Sequence, residues 1–159
     1  MSKISVKNKD TDQMIEYNVL TPAETVGLIH REEIADFLYE HLDEFGDNKA
    51  DIAKAIDYAL DSGVTPGGFV VTARLDRKVI GAVVMNRTGM QGYIPENILV
   101  YIAINCDYRG KGIGKELMKK AIDKADGDIA LHVEPNNPAK FLYEKLGFTN
   151  KYLEMRLKK

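Results

Sequence analysis

Along this 159-residue chain the spacing of apolar positions switches repeatedly, and each switch marks an element. Residues 3–7 and 14–20 have strand length and strand composition, flanking the polar turn Asn8-Lys9-Asp10-Thr11-Asp12. Thr21-Pro22-Ala23-Glu24 then predicts a helix start: a capping threonine, a proline suited to the first helical position, and a glutamate that can close a capping box. Ile34, Phe37, Leu38, Leu42 and Phe45 recur at helical spacing until Gly46-Asp47-Asn48 breaks the pattern. A second helix carries Ile52, Ala53, Ile56 and Leu60 on one face, with Gly63 placed to end it.

After Pro66-Gly67-Gly68 the pattern turns to β. Residues 69–75 and 79–85 are β-branched and aromatic runs joined by Asp76-Arg77-Lys78, which reads as a hairpin. A polar, glycine-containing loop over 86–97 leads into an apolar strand at 98–104. The next helix places Ile113, Leu117, Ala121, Ile122 and Ala125 on one side and stops at Asp126-Gly127-Asp128. A strand at 129–133, a short helix at 138–146 and a last strand at 152–157 complete the order. No repeat, low-complexity tract or linker interrupts it. The expected architecture is α/β: one domain over 1–159, with a mixed sheet and helices on both faces.

Composition narrows the partners. Hydrophobic residues make up 45% and charged residues 29%, ordinary for a globular chain. A net charge of -2 gives no field to recruit nucleic acid. No apolar run reaches membrane-spanning length, and the first residues lack a signal-peptide pattern, so no membrane partner and a cytoplasmic location are expected. The single cysteine, Cys106, fits a reducing compartment. No paired histidine stands beside it in the sequence, so it is read as structural.

The densest chemical signal is Arg109-Gly110-Lys111-Gly112-Ile113-Gly114, where a strand hands over to a helix. Glycines permit positive φ and let a ligand approach bare backbone, while the helix dipole favours an anion. Arg109 and Lys111 add positive charge, so a phosphate or pyrophosphate is the expected ligand. A P-loop would need Ser or Thr after Gly114-Lys115, where Glu116 stands, and a dinucleotide fingerprint would need glycine at Lys115. A glycine turn that merely tightens the connection is the competing reading.

The segment resembles the signature of the GNAT superfamily of N-acetyltransferases: Arg or Gln, two residues, Gly, one residue, Gly or Ala, met by Arg109, Gly112 and Gly114. A second pattern of that superfamily, Asn-x-x-Ala-x-x-x-Tyr-x-x-x-Gly-Phe, is met by Asn136, Ala139, Tyr143, Gly147 and Phe148. The likeness runs from about residue 69 to the C-terminus.

This resemblance implies a mostly antiparallel mixed sheet with splayed central strands and acetyl-CoA as co-substrate, with no metal. It implies that the backbone of Ile102, Ala103 and Ile104 holds the pantetheine arm. The N–H groups of Arg109, Gly110, Lys111, Gly112, Ile113, Gly114 and Lys115 would hold the pyrophosphate. Tyr143 would be the general acid for the CoA sulfur, although its helical stripe with Ala139, Leu142 and Leu146 also suits plain packing. Asn136 would contact the cofactor arm or a water, while Asn137, before Pro138, reads as a helix cap. Some members place a glutamate at the strand position of His132, where an imidazole suits a base or water-positioning role. Glu96 is a weaker alternative.

A primary amine on a small molecule or peptide is the implied acceptor. Ten acidic residues (32, 33, 36, 40, 43, 44, 47, 51, 57 and 61) face only Arg31, Lys49 and Lys54 over 30–62, an excess that would attract a cationic amine or simply solvate two helices. The hairpin that usually follows Gly-Phe is shortened or absent, so a loop or a second subunit could close the acceptor side, in a monomer or a homodimer. The alternative to an enzyme is a non-catalytic acyl-CoA-binding module.

Overall fold

The computed structural model describes residues 2–7, 14–61 and 63–159. The polar turn expected at Asn8 to Asp12 lies outside them. Six strands form one sheet in sequence order: β1 (Ser2–Lys7), β2 (Met14–Leu20), β3 (Gly68–Leu75), β4 (Lys78–Arg87), β5 (Asn97–Ile104) and β6 (Ile129–Leu131). Neighbours are antiparallel except β5 and β6, which are parallel. Four α-helices, α1 (Leu28–His41), α2 (Lys49–Leu60), α3 (Ile113–Lys124) and α4 (Ala139–Lys145), pack on its two faces.

Strand alternation sorts the core into two layers. Val70, Ala82 and Val84 join Ile34, Leu38, Ile52 and Ile56 of α1 and α2. Phe69, Val71, Val83 and Met85 join Leu117, Met118 and Ala121 of α3, together with Tyr143 of α4. Both faces of β3 and β4 are covered, which is why those runs read as continuously apolar.

Four expectations need correction. The box at Thr21–Glu24 closes as an isolated turn: Thr21 donates its N–H and hydroxyl to the Glu24 carboxylate, and the Glu24 N–H donates to the Thr21 carbonyl. The helix waits until Leu28, after Gly27, because the chain first runs on to bury Val26. The β3–β4 turn is Asp76-Arg77 alone, since Leu75 pairs with Lys78, and both turn residues have positive φ as the tight hairpin requires. Residues 152–157, expected as a last strand, have no regular structure and lie fully in solvent. A strand exists only where a neighbour accepts its backbone bonds, and here none does. β6 is also shorter than expected and ends at Leu131.

Candidate active site

The site grows from an irregularity in β5. Val84 pairs with Tyr101 but Met85 pairs with Leu99, so Val100 is an extra residue. At such a bulge two successive side chains share a face. Val100 and Tyr101 both meet the α1–α2 layer, whereas Leu99, Ile102 and Ile104 meet the α3 layer. The bulge also ends the parallel pairing: β6 bonds β5 only at Asn97, Ile98 and Leu99. From Val100 to Ile104, β5 has β4 alone as partner, so the strands part and leave one backbone edge of Ile102, Ala103 and Ile104 open.

A polar clamp fixes the closed end of that fork. The buried Asn97 side chain donates to the Asp126 and Asp128 carbonyls at 2.7 and 3.2 Å. Glu96 accepts from the Asp128 N–H and packs so closely on Gly127 that a Cβ there would come within 2.6 Å of its carboxylate. Glu96 thus packs on the turn between α3 and β6, at the end of β5 opposite the glycine turn.

At the open end, the chain makes a short 3-10 turn (Cys106–Tyr108) and enters the glycine segment. Gly110 and Gly112 have φ of +77° and +79°, with nothing within 4 Å of where a Cβ would stand. Backbone conformation, and not crowding, demands glycine there. Gly112 precedes α3, and the first N–H bonded inside that helix is that of Glu116, to the Gly112 carbonyl at 3.1 Å. The N–H groups of Ile113, Gly114 and Lys115 are left for an outside acceptor. They line a cavity of about 480 Å³ with Ile104, Tyr108, Arg109, Gly110, Gly112, Leu142, Lys145 and Leu146. Glycine backbone, free donors, two lysines and an apolar wall fit a pyrophosphate followed by an aliphatic arm.

Arg109 does not turn toward this cradle. Its guanidinium donates to the carbonyls of Ile104 and His41, both at 3.1 Å, and approaches Asp43 at 3.6 Å. It ties the turn to the C-terminal end of α1, so Arg109 contributes its position and backbone. Lys111 lies 5.5 Å from the Tyr108 ring centroid. Leu142, Lys145 and Leu146 were not legible as lining residues in the sequence, because only the fold brings α4 against the turn, while Tyr108 joins them from the 3-10 turn just before Arg109.

Tyr143 is buried on α4, 6.0 Å ring to ring from Phe148, and burial pushes its hydroxyl up to about 12. Its hydroxyl makes no hydrogen bond to another described residue and is not sealed from solvent, so a ligand or water can meet it. Asn136 and His132 are both exposed, Asn136 in a turn and His132 just beyond β6. Neither lines the cavity around the glycine turn. Asn137 accepts from the Ala139 N–H at 2.9 Å, the expected cap. Cys106 is exposed, its thiol directed at Asp107, so its reading as a packed structural residue is not supported.

On the other side of the fork, Tyr101 donates to Asp47, in the connection between α1 and α2, at 2.5 Å. Much of the acidic excess of this half is compensated. Arg31 pairs with Asp57 and Asp61, Lys49 with Asp36, Lys54 with Asp51, and Arg74 with Glu33. Among the described residues no group of three or more His, Cys, Asp or Glu could hold a metal ion, and no helix is long and apolar enough to cross a membrane.

A sequence profile described as the acetyltransferase (GNAT) family matches residues 28–148, most of the chain. The chain belongs to this family. GNAT acetyltransferases also appear among solved structures with the same fold. An aminoglycoside N-acetyltransferase in complex with CoA is 14% identical, with 100% of this chain and 98% of that one covered and a TM-score of 0.66. A GNAT family acetyltransferase from Streptococcus pneumoniae is 20% identical, with 92% and 98% covered and a TM-score of 0.66. A ribosomal-protein-alanine N-acetyltransferase from Brucella melitensis is 19% identical, with 91% and 98% covered and a TM-score of 0.62. No curated protein matches the chain significantly by sequence. The GNAT fold expected from the two motifs is therefore the fold of this chain, and acetyl transfer is its general activity.

Proposed function

We propose that this chain is a single-domain cytoplasmic enzyme that transfers the acetyl group of acetyl-CoA to a primary amine by direct attack. The observation that carries the reading is the run of free N–H groups at Ile113, Gly114 and Lys115 lining a cavity at the open end of β5. Arg109 to Lys115 bind the pyrophosphate through their backbone, with Lys111 and Lys115 adding charge. The open edge of Ile102, Ala103 and Ile104 aligns the pantetheine arm by strand-like bonds, and Asn136 contacts that arm or a water. The acceptor nitrogen must arrive neutral. It attacks the thioester carbon, a C–N bond forms, the C–S bond breaks, and the sulfur gains a proton.

Tyr143 is the donor to that sulfur. Its raised pKa keeps it protonated across the physiological range. It also makes complete proton transfer to a thiolate, whose own pKa lies lower, uphill. The hydroxyl therefore acts chiefly through a hydrogen bond that strengthens as charge builds on sulfur, with transfer completed late. His132, at the end of β6, is proposed to accept the amine proton directly or through water.

Acceptors of the structural neighbours include an aminoglycoside and a ribosomal protein, both amines. A cationic small molecule or peptide amine is the proposed class here, with Asp47 beside Tyr101 as one fixed acidic group on the acceptor side. The test is thermal-shift titration with acetyl-CoA followed by thiol release across an amine panel. A shift with no transfer to any amine would favour a non-catalytic acyl-CoA-binding module, a reading supported by the position of His132 outside the residues that line the cavity. No shift with any CoA would defeat both.

A further inference from the structure

Residues 42–47, in the connection from α1 to α2, meet the open half of β5 through two side chains. At one end Tyr101 donates to the Asp47 carboxylate. At the other, the Arg109 guanidinium donates both to the Ile104 carbonyl, which ends β5, and to the His41 carbonyl, which ends α1. The last carbonyls of a helix have no partner inside it, and the helix dipole favours a cation there. Hydrogen bonds from a charged donor are the stronger kind. The contact of Arg109 with Asp43 at 3.6 Å adds little, because both side chains are well exposed.

Between these anchors the connection has little of its own to hold it. Its backbone bonds form one tight turn, from the Phe45 N–H to the Leu42 carbonyl at 3.0 Å and from the Gly46 N–H to the Asp43 carbonyl at 3.5 Å. Asp43 has a φ of +53°, a left-handed conformation that a residue with a Cβ keeps only when its surroundings hold it there. A short exposed segment with few internal bonds and one strained residue has a relaxed alternative within easy reach. Tyr101 and Arg109 decide which of the two is populated.

We propose that Tyr101 and Arg109 are positioning residues that hold residues 42–47 against the open half of β5, and that a ligand on the glycine turn tightens this connection through Arg109. Arg109 opens the turn, so an anion seated on the N–H groups that follow immobilises the residue whose side chain reaches His41. The open edge of Ile102, Ala103 and Ile104 lies between the two anchors in sequence, and an arm bound along it steadies both. By linkage, the factor by which the ligand tightens the connection is the factor by which the held connection strengthens ligand binding. Asp43, Glu44 and Asp47 ride on this segment, so its placement sets where carboxylates meet a cationic amine. That consequence rests on the function proposed above, while the hold of the two anchors does not.

Hydrogen exchange of the full chain, with and without CoA, tests it in the wild type and in the R109K and Y101F variants. Lysine keeps the charge beside the turn, but its ammonium lacks the planar fork that spans two carbonyls. Without ligand, amides of 42–47 should exchange ~10-fold faster in each variant than in the wild type, while those of β3 and β4 keep their protection and show the variants to be folded. Saturating CoA should slow 42–47 by ~5-fold or more in the wild type and leave them unslowed in R109K, with calorimetry showing CoA still bound to the turn's backbone. Wild-type exchange at 42–47 in the ligand-free variants would overturn the hold of the two anchors. Equal slowing by CoA in the wild type and R109K would overturn the transmission through Arg109. If calorimetry finds no CoA bound to the wild type, the function proposed above fails and the transmission with it, and the ligand-free comparison alone decides the hold.

Discussion

The glycine turn at 109–115 and the tail at 152–157 carry equally clear local patterns, yet only one of them closes within a single chain. The turn is built from six or seven consecutive residues. Its glycine conformations, helix start and free N–H groups follow from local backbone preference once α3 is docked. The tail has the alternation of a strand, but a strand is completed by its neighbour, and among the described strands none pairs with it. The turn's geometry is thus complete within its own residues, while a strand in the tail would depend on a neighbour.

The sharpest way to probe the turn's half of the contrast is at the reacting centre. Tyr143→Phe is expected to lower kcat by about 10²–10⁴-fold while acetyl-CoA affinity stays within a factor of about two, measured by thiol release and calorimetry. Equal losses in binding and turnover would mean that the ring packs and does not donate. A smaller effect is expected at Gly112, whose φ of +79° a β-branched residue cannot adopt without strain. Gly112→Val should raise the acetyl-CoA Kd by ~10-fold or more, whereas Lys158→Ala in the tail should leave it unchanged.

Next in size is the docking of α3 itself. A Cβ at Gly81 in β4 would stand 2.8 Å from Leu117 and 3.1 Å from Ile104. Gly81→Ala should therefore cost about 1–3 kcal/mol in urea unfolding, as overpacking does. No loss would mean that α3 has slack against the sheet and that the turn is less well anchored than described.

The pH dependence gives the smallest signals. Burial raises Tyr143 from 10 to about 12, so its protonated form persists far above neutrality. The kcat/KM profile should rise as the acceptor ammonium loses its proton, with no alkaline fall from Tyr143 below pH 10. The same raised pKa contributes stability that is complete below the unfolded value of 10 and is lost as pH climbs through about 12. Glu24 has the opposite sign. Bonds from the Thr21 backbone and hydroxyl lower it to about 2, so its contribution is present above its ordinary value and fades as pH falls through about 2. It is small because the carboxylate is solvent-screened.

Much of this was legible in the sequence, and the exceptions share a cause. Residues whose role depends on neighbours in sequence could be read directly: Gly110, Gly112 and the Asn137 cap. Thr21-Pro22-Ala23-Glu24 also had the right hydrogen-bond chemistry, but a capping box cannot show whether a helix follows at once or after Thr25-Val26-Gly27. The Val100 bulge left no trace, because Leu99 and Tyr101 are both buried and nothing in their identities shows that they face opposite layers. Lys145 and Leu142 came to the cavity only through the packing of α4 on the turn. Arg109 looked like a phosphate ligand by proximity, and only the position of the His41 carbonyl shows where its guanidinium goes.

Calorimetric titration with acetyl-CoA and with S-acetylpantetheine, which has the reactive arm but no pyrophosphate, tests most directly whether the glycine turn is the cofactor cradle. One acetyl-CoA per chain should bind, with affinity at least ~100-fold above that of the pantetheine thioester. Equal affinity for the two, or no binding of acetyl-CoA, would contradict it.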